Sequence, residues 1–223
     1  MAKPSLKSLK AKAAAVDEVF AAAYPDAGCA LEFMDPLQCL VSTILSAQTT
    51  DKSVNKVTPA LFKKFPSVNA FARAKPEEIE PFIRTLGLFR AKAKNIVGTA
   101  QMLRDAFGGV VPDTIEELVK LPGVGRKTAN VVGAVIFGKH VMAVDTHVFR
   151  VSARIGLTKN AKTPLQTELQ LTKNIPYELL PQAHHWLILH GRYICTARKP
   201  HCDKCGIKEY CRYFAHQEKS KAK

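Results

Sequence analysis

Lys127 stands where a lysine is most easily made nucleophilic, at the start of a predicted helix. It follows the stretch LPGVG, whose glycines suit a tight turn between two helices. The N–H groups and the positive dipole end of a helix bind phosphate well, and they disfavour a charged ammonium in the first turn. We therefore expect this stretch to bind phosphate and Lys127 to be shifted toward its neutral, nucleophilic form.

Asp145 is the carboxylate that could assist this lysine. It is the only acidic residue between Leu118 and Thr167, a window that contains eight Lys or Arg residues. A helix of about 17 Å after Lys127, followed by seven extended residues that span about 23 Å, could return Asp145 to the helix start. A solvent-exposed helix surface normally carries both acidic and basic side chains, so a single carboxylate among basic residues indicates a specific role for Asp145. The alternative, that Asp145 caps a helix beginning at Thr146, is compatible with that role.

The remaining sequence indicates a helical scaffold for these residues. Asp35-Pro36 and Thr163-Pro164 are helix-start signals, Thr114-x-x-Glu117 is a capping box, and Gly108-Gly109 ends a long helical pattern. No stretch alternates as a strand does, so the predicted class is all-α. Further helices are expected from Leu6 to Phe20, after Asp51 with a kink or break at Pro59, over 67–74 and 76–85, and over 182–193.

The composition predicts a nucleic-acid partner. The 223 residues carry a formal net charge of +14, which attracts polyanions. A membrane surface is the weaker alternative, because no apolar run approaches spanning length. Asp17 and Glu18 interrupt the N-terminal pattern before a signal-peptide core could form. We expect an intracellular protein, cytoplasmic or nucleoid-associated, without membrane association.

Gln48 and Leu88, which both precede the glycine-rich stretch, lie at predicted helix ends or turns. Gln48 falls at a helix terminus or loop, and Asp51 can cap the helix that follows. Leu88 lies in a turn that exposes an apolar residue, although packing in the core is the commoner fate of a leucine. Basic residues surround Leu88 with no acid between them, so an exposed turn would face a polyanion. They are Arg84, Arg90, Lys92 and Lys94.

Four cysteines near the end of the sequence have the pattern Cys195-x6-Cys202-x2-Cys205-x5-Cys211. Their thiolates can converge on one inorganic centre, and an intracellular setting argues against disulfides. The uneven spacing favours iron-sulfur over zinc, which remains the alternative. Within the first loop, Arg198, Lys199 and His201 could face a phosphate backbone or be ordinary surface charges. Cys29 and Cys39 stand apart and are predicted to be small core residues.

Taken in order, these motifs closely resemble the endonuclease III family of base-excision DNA glycosylases. The resemblance rests on LPGVGRKTANVV followed by AVDTH, on the cysteine pattern, and on LSAQTTD, GLFRAKAKNI and HHWLILHGRYIC. It covers nearly the whole chain. The fold it implies has a six-helix barrel domain with a helix-hairpin-helix over 29–139. A 4Fe-4S cluster domain built from 1–28 and 140–223 lies across a DNA-binding cleft from it.

The resemblance also implies a mechanism. Lys127 matches the nucleophile that attacks the sugar C1′ of a damaged nucleotide, forms a Schiff base and leads to strand cleavage by β-elimination. Asp145 matches the assisting aspartate, and the four cysteines match the cluster ligands. Gln48 and Leu88 match the residues that fill and wedge the vacated base stack. Phosphate contacts are expected from Gly123, Gly125, Arg126, Arg198 and Lys199.

The implied substrates are oxidised pyrimidines and abasic sites in duplex DNA, bound by a monomer. Asp51 and His147 are plausible neighbours of the flipped base. One alternative is the adenine-excising branch of the superfamily, which has a glutamate at the position of Thr43 and lacks the nucleophilic lysine. The other is a non-catalytic helix-hairpin-helix protein that only grips DNA.

Overall fold

The computed structural model describes residues 8–221, and all regular secondary structure within them is helical. The all-α prediction is confirmed. The α-helices are α1 (Leu9–Ala23), α2 (Pro36–Leu45), α3 (Asp51–Lys64), α4 (Val68–Arg73), α5 (Pro76–Ile83), α6 (Phe89–Ala106), α7 (Ile115–Leu118), α8 (Arg126–Phe137), α9 (Thr146–Ile155), α10 (Pro164–Asn174), α11 (Leu180–Tyr193) and α12 (Arg212–Lys221). Short 3-10 turns occupy Tyr177–Leu179, Cys202–Lys204 and Lys208–Tyr210. Among residues 8–221, no helix is both long enough and apolar enough to span a membrane.

The chain divides into two compact units. The central unit is Cys29–Lys139, and the terminal unit combines the described residues 8–28 with residues 140–221. Each unit has its own hydrophobic core. The central unit therefore contains α2 to α8, and the terminal unit contains α1 and α9 to α12.

In the central unit, α6 is the helix around which the others pack. Helices α4 and α5 lie against it, and α2 packs against both α6 and α8. Leu40, Ile79, Ile96 and Leu103 are buried in this core. The segment that carries the glycine-rich stretch is thus supported by helices that lie far from it in sequence.

In the terminal unit, α9 and α11 form the main helix pair, and α1 packs against α10 and α11. Val148, Val151 and Ile155 of α9 are buried in its core with Trp186 of α11. The ammonium of Lys12 donates a hydrogen bond to the carbonyl of Ile155 at 2.7 Å. A helix from the start of the chain is in this way joined to the segment that follows Asp145.

Most helix starts lie where local sequence predicts them, with Asp35, Thr114, Asp145 and Thr163 as N-caps. One expectation was wrong. Thr50, not Asp51, caps α3, because the Thr50 hydroxyl accepts the N–H of Ser53 at 3.2 Å. Helix α3 also continues through Pro59, which excludes the predicted break, while the alternative of a kink there stays a prediction. Buried Val54, Thr58 and Leu61 lie on both sides of the proline, so packing outweighs the lost backbone hydrogen bond. Lys3, Leu6 and Lys7 of the predicted first helix lie outside the described residues.

Candidate functional site

The hairpin between α7 and α8 is held in place by its apolar residues. Leu121 and Val124 are buried in the central core, and the N–H of Val124 donates to the carbonyl of Leu121 at 3.0 Å. The Thr99 hydroxyl of α6 donates to the carbonyl of Pro122 at 2.7 Å. These anchors fix the backbone of the turn. Four other residues of the hairpin are exposed: Gly123, Gly125, Arg126 and Lys127.

The two hairpin glycines have different reasons for lacking a side chain. Gly123 has φ +77°, and a Cβ added there would lie 2.7 Å from Nδ2 of Asn95. Gly125 has φ −84°, and no atom lies within 4 Å of the position of an added Cβ. The fold therefore requires glycine at 123. At 125 no neighbour in the described structure requires it, so a glycine there leaves the surface open to an approaching molecule.

Helix α8 begins at Arg126 and ends at Phe137, as the sequence predicted. Its N-cap is Gly125, which has no side chain to satisfy the first N–H groups. Arg126 and Lys127 extend exposed side chains from the first turn. The start of α8 thus combines the positive dipole end of a helix with two cationic side chains, a combination that suits a phosphate group.

Asp145 caps α9 with one carboxylate oxygen and contacts a histidine with the other. Its Oδ1 accepts the N–H of Val148 at 2.8 Å, and its Oδ2 lies 3.1 Å from Nδ1 of His147. Burial raises the pKa of Asp145, but these hydrogen bonds and the potential of His147 and His184 outweigh it and hold the pKa below its usual value. The N-cap prediction is confirmed, and the carboxylate is anionic at neutral pH.

Lys127 belongs to the central unit, whereas Asp145 and His147 belong to the terminal unit. The predicted return of Asp145 to the start of α8 stays a prediction, as do the catalytic roles of both residues.

Gln48 and Leu88 share an unusual backbone conformation. Their φ angles are +53° and +58°, and Asn160 is the only other non-glycine residue with positive φ among residues 8–221. Leu88 is 57% exposed immediately before α6, while Leu86 is buried. The alternative that Leu88 packs in the core is wrong, and the exposed turn is confirmed. Gln48 is exposed in the turn between α2 and α3, also as predicted.

The basic surface expected around Leu88 lacks one of its members. Lys92 is only 3% exposed, and its ammonium donates to the Thr49 hydroxyl at 2.8 Å. Burial lowers the pKa of Lys92. The expectation that Lys92 faces a polyanion was wrong, because its side chain turns inward to the segment that contains Gln48. The other three residues of the group are exposed: Arg84, Arg90 and Lys94.

The four clustered cysteines line one pocket in the terminal unit, with largely apolar walls that include Ile155, Ile194 and Phe214. All four are free thiols. The pKa values of Cys202, Cys205 and Cys211 are raised mainly by burial, and the charge of neighbouring thiolates raises them further. The pKa of Cys205 is raised to about 11. Several thiolates buried close together are therefore unfavourable unless a positively charged group lies between them and compensates their charge.

This donor set fits an iron-sulfur cluster. No three His, Cys, Asp or Glu side chains within residues 8–221 converge so as to hold one metal ion. A 4Fe-4S cluster requires instead one thiolate for each of its irons, and four cysteines around a single pocket can supply them.

Arg154 of α9 fixes the loop that follows Cys195. Its guanidinium donates to the carbonyls of Thr196 and Ala197 at 2.6 and 2.7 Å, and it lies 3.5 Å from Sγ of Cys195. The loop backbone therefore has a defined position while its basic side chains remain exposed, as a phosphate contact requires. These side chains are Arg198, Lys199 and His201.

His190 of α11 connects the cysteine pocket to α1. Its Nδ1 lies 3.1 Å from the Tyr24 hydroxyl, and its Nε2 lies 3.6 Å from Sγ of Cys205. Burial lowers the pKa of His190 to about 4, so the imidazole is neutral. With the Tyr24 O–H donating to Nδ1, the proton resides on Nε2 and points toward the sulfur.

Cys39 is fully buried, as predicted, whereas Cys29 is partly exposed. Burial raises the pKa of Cys29; the charge of Asp51 acts in the same direction and that of Lys127 opposes it. Asp51 and Lys127 are thus each within electrostatic range of Cys29 in the central unit. Asp51 also lines an open pocket, together with Ala30, Glu32, Lys52, Asn55 and Lys56.

The sequence did not single out Arg154 or His190, and it misplaced Lys92. A weak signal existed for Arg154, which follows Arg150 by one helical turn on the helix that Asp145 caps. His190 lies five residues before Cys195, but a single histidine in an apolar helix is more often structural. Their partners come from segments distant in sequence, which is why local pattern could not identify them.

Residues 41–177 match the family model described as HhH-GPD superfamily base excision DNA repair protein, and residues 195–211 match the iron-sulfur binding domain of endonuclease III. The fold and the site thus define a base-excision repair protein of the helix-hairpin-helix class. Endonuclease III of Rickettsia conorii is 48% identical over 197 residues, 88% of this chain and 93% of that protein. The Escherichia coli K12 protein is 45% identical over 183 residues, 82% of this chain and 86% of its own length.

Two solved structures are also similar. A non-covalent endonuclease III–DNA complex matches with a TM-score of 0.88 at 42% identity, covering 95% of this chain and 99% of that one. A trapped covalent endonuclease III–DNA intermediate matches with a TM-score of 0.85 at 44% identity, covering 90% and 94%. The chain belongs to the endonuclease III family. It is a DNA glycosylase with abasic-site lyase activity, it carries a 4Fe-4S cluster, and neither alternative class applies.

Proposed function

We propose that this protein removes oxidised pyrimidines from duplex DNA through a covalent bond between Lys127 and the damaged nucleotide. The observation that carries the proposal is the exposed amine of Lys127 in the first turn of α8, directly after a hairpin whose Gly125 leaves the surface open. Phosphates held at this helix end would place a nucleotide sugar within reach of the amine.

Lys127 performs the covalent steps. Its neutral amine forms a bond to C1′ while the bond from C1′ to the base breaks, and the base leaves with the electron pair and takes up a proton. Loss of the amine proton and opening of the sugar ring give a Schiff base. Removal of a proton from C2′ then expels the 3′ phosphate oxygen, which cuts the strand by β-elimination. Hydrolysis of the Schiff base returns the free amine.

Asp145 acts as an anion beside this chemistry. Its lowered pKa keeps it ionised, so it can stabilise positive charge that develops on the sugar or accept the proton that Lys127 must lose.

The target base leaves the duplex before it is cut. We assign Gln48 to filling the vacated position and Leu88 to wedging the stack, because both side chains are exposed in turns. A damaged base that stacks or pairs poorly costs less to extrude. Asp51 and His147 are candidates for contacts with the flipped base.

Phosphate contacts are assigned to exposed groups of both units: Gly123, Gly125, Arg126, Arg198 and Lys199. We assign residues 29–139 to the barrel domain with the helix-hairpin-helix, and residues 1–28 with 140–223 to the cluster domain. In the latter, Cys195, Cys202, Cys205 and Cys211 would ligate the 4Fe-4S cluster. When bound, the cluster cross-links the loop that carries Arg198 and Lys199.

The enzyme would act inside the cell, at the nucleoid, as a monomer.

Borohydride trapping tests the proposal, because reduction of a Schiff base makes the protein–DNA bond permanent. Duplexes with a single thymine glycol or abasic site should yield a covalent complex with the unmodified protein and none with Lys127→Gln. Arg126→Gln is the matched control, since it removes a neighbouring exposed charge from the same helical turn. This variant should be trapped at saturating DNA, with weaker binding.

The outcomes separate the parts of the proposal. Trapping that persists in Lys127→Gln would place the nucleophile elsewhere. Trapping on abasic DNA but not on thymine glycol would leave Lys127 as the lyase nucleophile and refute the substrate class.

A further inference from the structure

We propose that Lys92 is a positioning residue that holds the Gln48 turn (residues 46–50) and the Leu88 turn (residues 84–88) together, so that both side chains enter the duplex as one unit. The inference rests on the roles proposed for Gln48 and Leu88. It adds a buried residue that touches neither DNA nor the reacting atoms.

Lys92 is bonded to both turns. Its backbone N–H donates to the carbonyl of Leu88 at 3.0 Å, and its ammonium donates to the Thr49 hydroxyl at 2.8 Å. The Thr49 hydroxyl in turn donates to the carbonyl of Ala47 at 3.2 Å. The bond to Leu88 is the i→i−4 bond of the first turn of α6, so the helix fixes Lys92 relative to Leu88, and the Lys92 side chain then links this turn to the residues on either side of Gln48.

The two turns also lie next to each other. A Cβ added at Gly87 would lie 4.0 Å from the carbonyl oxygen of Gln48. The backbones of the two turns are thus close neighbours, and the Lys92 ammonium adds a direct hydrogen bond from α6 to the Gln48 turn.

Stability alone does not account for a lysine at this position. Burial of an ammonium is unfavourable, and a methionine of similar length would fill the same space without that cost. A charged donor, however, forms a stronger and more directional bond to a hydroxyl than a neutral group does. A lysine at this buried position is accounted for when its hydrogen bond to Thr49 is what fixes the conformation of the Gln48 turn.

Backbone strain supplies a second reason. Gln48 and Leu88 are both held at positive φ, a conformation that non-glycine residues keep only when their surroundings enforce it. If the tether were lost, the Gln48 turn could relax to an ordinary conformation, and Gln48 would then miss the space that Leu88 opens.

Thr49→Val and Thr49→Ser form the decisive pair of variants. Valine has the shape of threonine but cannot accept the hydrogen bond, whereas serine retains the hydroxyl. Base removal from a thymine-glycol duplex would be measured under single turnover, with 2-aminopurine opposite the lesion to report extrusion by its fluorescence. Strand cleavage of a single-stranded oligonucleotide with a preformed abasic site needs no duplex penetration and serves as the internal reference.

We expect Thr49→Val to slow both extrusion and base removal about tenfold or more. The same variant should cleave the single-stranded abasic substrate at the normal rate. Thr49→Ser should behave as the unmodified protein in all three measurements. Lys92→Met should reproduce the valine result if it folds, as judged by thermal melting. Normal extrusion by Thr49→Val would overturn the inference, and so would equal losses on the two substrates, which indicate general damage. If the unmodified protein fails to act on thymine glycol, the proposed function itself fails, a result distinct from either of these.

Discussion

His147 and Asp145, at the start of α9, are joined by a contact of 3.1 Å between Nδ1 and Oδ2. The other oxygen of Asp145 accepts the N–H of Val148, so both oxygens of the carboxylate are held in place. One side chain is therefore both a helix cap and the proposed catalytic anion. The two roles differ in what they require, because a cap needs an oxygen and the catalytic role needs a charge.

Asp145→Asn should abolish most base removal while leaving stability nearly unchanged, since asparagine caps helices about as well as aspartate. Asp145→Ala should lose the same activity and, in addition, about 1 kcal/mol of stability through loss of the cap. Single-turnover rates and urea unfolding measure the two effects. Both variants should still bind lesion DNA. Asp145→Asn with normal rates but weak DNA binding would show that the carboxylate acts in binding rather than in catalysis.

The two hairpin glycines should respond differently to alanine. Gly123→Ala forces a side chain into positive φ and against Asn95, so it should destabilise the protein by about 1–3 kcal/mol. Gly125→Ala meets no neighbour and should unfold like the unmodified protein. If DNA phosphate approaches Gly125, that variant should nevertheless bind a duplex severalfold more weakly in a fluorescence-anisotropy titration. Unchanged affinity would remove Gly125 from the phosphate site.

Asp17 should make stability depend on pH near neutrality. It is buried on α1, its Oδ2 has no hydrogen-bond partner among residues 8–221, and burial raises the pKa of Asp17 from 3.8 to about 7. Below pH 4 the carboxyl is protonated in both folded and unfolded chains. Between pH 4 and 7 only the unfolded chain releases the proton, so stability falls as pH rises, by up to about 4 kcal/mol, and is level above pH 7.

Asp17→Asn should remove that slope, because asparagine does not titrate. Urea unfolding at a series of pH values from 4 to 8 measures it, with the variant compared at each pH. A slope that persists in Asp17→Asn would assign the titration to another group.

Tyr24 should protect the iron-sulfur cluster through His190. Tyr24→Phe removes the hydroxyl that donates to Nδ1, so the imidazole proton is no longer confined to Nε2, where it points toward Cys205. Support of this kind around metal ligands is worth about tenfold or more, so we expect the visible absorbance of the cluster to decay about tenfold faster in air. Tyr193→Phe removes an exposed hydroxyl from the end of the same helix as His190 and should leave the decay unchanged. Equal decay rates in the two variants would show that Tyr24 has no such part.

Local chemistry in the sequence determined a large part of this protein. Asp35, Thr114 and Thr163 cap helices where predicted, and α8 begins at Arg126, because a cap acts on residues only two or three positions away. The spacing of the four cysteines and the order of the motifs likewise predicted the iron-sulfur cluster and the family. These features depend on residues close to one another in the chain, or on the motif series itself.

The tertiary structure decided what lies inside and which distant groups meet. The sequence places Lys92 among basic residues that are exposed, but its side chain is buried and contacts Thr49, 43 positions away in sequence. Arg154 and His190 contact cysteines that no helical periodicity links to them. Helix α3 continues through Pro59 because buried neighbours outweigh one missing hydrogen bond. The physical reason is common to all three cases. Burial and contacts between distant residues arise when separate segments pack together. A local sequence pattern shows which residues a segment contains, but not which other segments they will contact.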